Sequence, residues 1–155
     1  MADFLPARAI HRWRALPREE RRDLIAAASR LPMAHAVLRI TGLKKAQRLL
    51  GKPRSGASAT KAQSDMALWM RRGKALRRLG ARMPGVHCLS RALCLWAWMR
   101  RSGLDPDLNI GIRPSGSGRI FSHAWVTLDG SPVDETPESI ADCKLVDWPK
   151  QPFDP

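Results

Sequence analysis

The sequence predicts an α+β domain: a helical N-terminal half and a central apolar helix packed on a short antiparallel sheet. Three observations carry that expectation. Residues 17–50 and 61–79 show helix patterning and helix punctuation. The run from Leu89 to Met99 is apolar nearly all round, as in a helix at the middle of a core. Residues 107–113 and 120–128 alternate between apolar and polar positions, and Asp129-Gly130 follows as a hairpin turn signal.

Size and composition bound the answer. The chain has 155 residues, 44% hydrophobic and 26% charged, which suits one globular domain with a real core. Its expected divisions are a basic helical region over 1–80, a chemical core over 81–140 and a C-terminal tail over 141–155. No stretch of about 18 apolar residues is present, so no membrane span is expected. The start, Met1 to Pro6, lacks the basic-then-apolar pattern of a secretory signal. Cys88, Cys94 and Cys143 are an odd number with no Cys-x-x-Cys pair. That suits a reducing cytoplasm and argues against a disulfide framework and a structural zinc site.

Charge is unevenly distributed. Net charge is +13. Residues 1–80 hold 19 basic and 5 acidic side chains, and residues 81–155 hold 8 and 9. In the basic half a first helix is expected over 17–29, with Pro17 at its start and Glu19, Glu20 and Asp23 where the helix dipole favours acids. Pro32 is expected to break it, with a second helix over 33–50 ending at Gly51. Residues 51–60 have loop composition. A third helix fits 61–79, weakened by Gly73 and ending near Gly80. The basic excess is either solvated helix faces or a surface for an acidic partner, such as nucleic acid, an acidic protein or anionic lipid. Neither a helix-turn-helix nor a zinc finger nor an aromatic-interleaved basic strip stands out. Nucleic acid therefore rests on charge alone and is not the expected partner.

The near-neutral half carries the candidate chemistry. Cys88 stands in the first turn of the apolar helix, where the positive end of the macrodipole favours thiolate. His123 shares one strand face with Phe121, Trp125 and Thr127, and two bulky rings flank the imidazole. A two-residue turn at Asp129-Gly130 makes Trp125 face Asp134 and Val126 face Val133. Asp134 then lies diagonal to His123, within side-chain reach. A slip of one residue would instead bring Glu135 onto that face. Together Cys88, His123 and Asp134 would form a nucleophile, a base and an orienting acid. The plain alternatives are a buried inert thiol, a core imidazole and a turn carboxylate. His87 is a rival base, but neighbouring helix positions do not face each other. Cys94 and Cys143 read as structural.

Gly85-Val86-His87-Cys88-Leu89-Ser90-Arg91-Ala92-Leu93, the strand ending Gly111-Ile112-Arg113, Ser122-His123-Ala124-Trp125-Val126 and Asp134 resemble the lasso-peptide leader peptidases. These belong to the transglutaminase-like cysteine proteases. The resemblance is specific over about 81–136 and looser toward the N-terminal helices. It implies a transglutaminase-like (papain-like) fold and removal of the leader from a ribosomally made precursor, so that the new amine can be cyclised. It makes Cys88 the nucleophile, with its own N–H as one oxyanion donor, His123 the base and acid, and Asp134 the orienting acid. Arg91, Phe121 and Trp125 are the expected substrate-binding residues. Some relatives carry a fused winged-helix recognition module, and no strand-rich segment for one is seen in 1–80. The chain thus looks like the peptidase half, served by a separate leader-recognition protein and working beside an asparagine-synthetase-like lasso cyclase. No phosphate loop is seen, and no cofactor is expected. Two other readings stand: a different transglutaminase-like acyl transferase, and a non-catalytic basic binding protein.

Overall fold

A computed structural model describes residues 11, 13–53, 56, 65–114 and 120–147. Helix α1 runs Arg18–Leu50, with Glu19 and Glu20 in its first turn. Its buried stripe is Ala27, Leu31 and Ala34, continued by Ala46 and Leu50. The expected break at Pro32 is not found. The helix continues through Pro32 and is kinked at Gly42, whose backbone sits at φ 75, ψ 169. Proline removes one helical hydrogen bond, but the stripe on either side of it stays anchored in one core, so packing overrides the local penalty. Ile40 and Leu49, apolar residues of the same helix, are 83% and 56% exposed.

Helix α2 runs Met66–Gly80 and is capped by Asp65, whose carboxylate accepts the Ala67 N–H at 3.0 Å. The part of the expected helix over 61–64 lies outside the described residues. Trp69 and Leu76 are fully buried on its inner face. Gly73, which weakens the helix locally, has a packing role. A Cβ there would come within 3.1 Å of the Asp134 side chain, so its absence lets the segment after the hairpin approach α2 closely.

Helix α3, Cys88–Arg101, is the central element. Ser90 and every residue from Ala92 to Met99 are buried. It packs against α1 and α2 on one side and the sheet on the other. The sheet comprises β1 (Asp107–Pro114), β2 (Ile120–Leu128), β3 (Ser131–Pro132) and β4 (Lys144–Leu145), in the order β3-β2-β1-β4. All three pairings are antiparallel. Asp129 and Gly130 both take positive φ, 50 and 78, the conformation of a tight type I′ hairpin turn. Leu128 pairs Ser131 and Thr127 pairs Pro132, which is the register expected from the sequence. A short helix, α4 (Pro137–Ile140), precedes β4. Strand β4 falls in the segment expected to be a tail. Two paired residues leave no alternation to read, and Val146 N–H adds a hydrogen bond to the Ile110 carbonyl at 2.8 Å.

Part of the basic excess is internal. Asp23 on α1, only 5% exposed, accepts hydrogen bonds from Arg71 at 2.6 Å and Arg72 at 3.4 Å. The Arg72 guanidinium lies 4.5 Å from the Trp69 ring and 4.4 Å from that of Trp98. Arg30 also lies 4.4 Å from Trp98, and the two indoles meet edge to face. These contacts tie α1, α2 and α3 together. Burial outweighs the Asp23 charge for Arg72 and lowers its pKa, whereas the more exposed Arg71 is raised by its hydrogen bond to Asp23.

Candidate active site

The first turn of α3 is fixed from α1. His35 Nδ1 and the buried Ser90 hydroxyl are 2.9 Å apart. His87 enters the helix in extended backbone without a capping side chain, so the first N–H groups of α3 have no side-chain cap from it. Cys88 is half-buried. Its Sγ donates to the Ser122 carbonyl at 4.0 Å, on the residue just before His123.

The strand period explains why that carbonyl faces the helix. The Val126 carbonyl accepts from Val133 N–H at 2.9 Å, and Val126 N–H donates to the Asp134 carboxylate at 2.9 Å. Polar groups of Val126 thus point toward β3, and by alternation those of Ser122 and Ala124 point the same way. Strand β3 ends at Pro132, so the edge of β2 beside Ser122 and Ala124 is free of it. There the helix tip arrives. Cys88, Arg91, Leu95, Gly73, Leu76, Arg77, Ala124, Asp134 and Glu135 line one narrow cavity.

His123 lies on the other face of β2, as the alternation predicts. Its ring stacks on Trp125, with centroids 6.0 Å apart and planes 20° from parallel. The Trp125 indole lies across Gly111, where a Cβ would come within 2.8 Å of it. Trp125 is 4% exposed and Phe121 54%, so of the two rings only Phe121 presents much surface. The imidazole's carboxylate partner is Glu135: His123 Nε2 and Glu135 Oε1 are 3.1 Å apart. Arg77 stands 3.8 Å from the other Glu135 oxygen and donates to the Asp134 backbone carbonyl.

Asp134 lies just past the last paired residues of β3, and its carboxylate spans to Val126 N–H rather than to the imidazole. Backbone pairing stops at Val133, and the side chain of Asp134 takes the place that a β3 carbonyl would fill. The bends over 133–135 then swing Glu135 toward His123. Burial, helped by the adjacent Glu135 charge, pushes the Asp134 carboxyl up to about 6, against the opposing Val126 hydrogen bond and Arg77 charge.

The remaining thiols differ in kind. Burial pushes Cys94 up to about 12, which leaves it inert at neutral pH. Half-buried Cys143 packs its Cβ against Gly111. Arg91 lies on the cavity wall, its Cδ against Gly80. Among the described residues no cluster of three or more His, Cys, Asp or Glu side chains is arranged to hold a metal ion, and no helix is long and apolar enough to cross a membrane. In the sequence Glu135 reaches the His123 face only by a slipped register, and nothing there marks Arg77 or the His35–Ser90 anchor. The adjacent acids 134 and 135 were the one signal for Glu135.

A family model described as the transglutaminase-like superfamily matches residues 30–144. The match takes in most of α1, all of α2 and α3, and the sheet as far as Lys144. No curated protein and no solved structure matches the chain significantly.

Proposed function

From the premise that this chain belongs to the transglutaminase-like superfamily, we propose that it is a cysteine peptidase whose nucleophile is Cys88 and whose base is His123. The observation that carries the reading is the thiol in the first turn of the buried helix, against the strand residue that precedes an imidazole already held by a carboxylate. With Nε2 engaged by Glu135, Nδ1 is the nitrogen left to take the thiol proton. In this mechanism Sγ attacks the scissile carbonyl carbon as its proton passes to His123. The oxyanion forms beside the Cys88 N–H at the helix tip. Collapse breaks the C–N bond, and His123 returns the proton to the departing amine. Water, deprotonated by His123, then attacks the thioester and frees Cys88. A carboxylate of the Asp134–Glu135 pair holds the imidazole throughout.

The substrate we propose is the precursor of a lasso peptide, cut between leader and core. Support comes from the Cys-Leu-x-Arg-x-Leu and His-Ala-Trp-Val signals, 35 residues apart, now seen in a chain of the expected superfamily. A separate recognition protein would deliver the leader, and a ring-forming cyclase would consume the freed amine. Arg91 and Phe121, at the cavity wall and the exposed strand end, are the residues we assign to substrate contact.

The test is mass spectrometry of a precursor co-expressed with the intact chain or with Cys88→Ala. A leader acid and a free core amine are expected only with Cys88 present. Cleavage that survives the substitution removes the mechanism. A thioester resolved by added amine in preference to water would make the protein an acyl transferase instead.

A further inference from the structure

We propose that Glu135, set by Arg77, is the residue that orients the His123 imidazole, and that Asp134 is a backbone clasp that positions Glu135. The inference deepens the nucleophile–base reading above and rests on it. A hydrogen-bonded carboxylate fixes which ring nitrogen carries the proton. Glu135 Oε1 lies 3.1 Å from His123 Nε2, so Nε2–H donates to it and Nδ1 keeps its lone pair for the thiol proton. Trp125 holds the same ring from its face. Asp134 Oδ1 is committed to Val126 N–H at 2.9 Å, which ends the β3 ladder and turns the next residue toward the imidazole. Arg77 serves both: one guanidinium bonds the Asp134 carbonyl and faces the other Glu135 oxygen, which also accepts from the Ser139 hydroxyl at 3.2 Å. Glu135 also lines the cavity that holds Cys88, so its charge is near the thiol as well as the ring. Glu135 is a positioning residue in this scheme, since it acts through His123.

The probe is iodoacetamide on the full-length protein near neutral pH, with modification of the Cys88 peptide followed by mass spectrometry. A second readout is the ¹⁵N spectrum of the histidine side chains, which reports the His123 tautomer directly. Glu135→Gln is expected to slow alkylation by about tenfold or more and to turn a single Nε2–H tautomer into a mixture. Asp134→Asn is expected to lose clearly less, because its amide oxygen still accepts from Val126 N–H. Glu135→Asp, which keeps the charge on a shorter arm, is expected to give an intermediate rate, and it carries the test if E135Q does not fold. The proposal is overturned if E135Q keeps the original rate and tautomer while His123→Ala is slow, or if D134N loses more than E135Q. Unaltered alkylation in H123A would sink the nucleophile–base reading itself, and this inference with it.

Discussion

Asp23 and Asp134 are both carboxylates withdrawn from water, and both are met from α2, but in different ways. Asp23 receives two guanidinium hydrogen bonds directly on its oxygens, from Arg71 and Arg72. Asp134, met from farther along α2, receives backbone N–H groups and no guanidinium on its carboxylate, while Arg77 spends its donor on the Asp134 carbonyl. The first arrangement is a clasp between helices, closed over tryptophan rings. The second leaves a carboxyl that burial holds close to protonation, with a neighbouring acid free to serve an imidazole. Arginine is abundant at both sites. What separates structure from chemistry here is whether the guanidinium neutralises the acid or merely shapes its backbone.

The largest effect is expected at the clasp. Asp23→Ala would leave Arg72 buried among aromatic rings without its counter-charge. Breaking one side of a buried pair costs about 3–5 kcal/mol, and chemical denaturation should show a loss of that order. A loss under about 1 kcal/mol, the range of surface pairs, would mean that the Asp23 pairing is ornamental and the contrast with Asp134 false.

Asp134 should behave in the opposite sense. Its folded pKa, about 6, is raised above the ordinary 3.8. The native state then binds the proton more tightly than the unfolded chain, so the contribution is fully present below about pH 4. It is lost as pH rises toward and through about 6. Asp134→Asn removes that titration while keeping an acceptor for Val126 N–H. The variant is expected to be more stable than the parent at pH 7 by about 1–3 kcal/mol, discounted for partial exposure. It should also show a flatter stability profile between pH 4 and 6. A variant less stable than the parent at neutral pH would show that the charged form of Asp134 is wanted in the fold.

Much of this was legible beforehand because it rests on local rules. Asp129-Gly130 dictates the turn, the turn dictates the register, and the register brings Asp134 just past the last paired residues of β3. The apolar run after Cys88 dictates a central helix, since nothing else buries all its faces. The helix through Pro32 was not legible, because tertiary packing of Leu31 and Ala34 outweighs a local penalty. Strand β4 was too short to show a period. The acid that reaches His123 depends on where pairing stops, and that is decided by a side chain replacing a backbone carbonyl. No pattern of residue types records such a substitution. The arginine surplus reads as solvated faces or a binding surface because Asp23 and Trp98, which absorb part of it, lie on other helices than Arg72.

The smallest expected effect isolates the ring from both acids. Gly111 faces neither Asp134 nor Glu135, yet a methyl there would come within 2.8 Å of the Trp125 ring and 2.9 Å of Cys143 Cβ. Gly111→Ala must therefore push the indole on which His123 stacks. Overpacking of this kind costs about 1–3 kcal/mol, and denaturation should register a value toward the lower end because Cys143 is only half-buried. Its effect on Cys88 alkylation discriminates between two supports for one imidazole. If the carboxylate does most of the holding, G111A slows the thiol less than E135Q does, with the tautomer preserved. If the indole does, G111A slows it as much or more, and the difference between the clasp acid and the positioning acid matters less to the chemistry than the stacked wall.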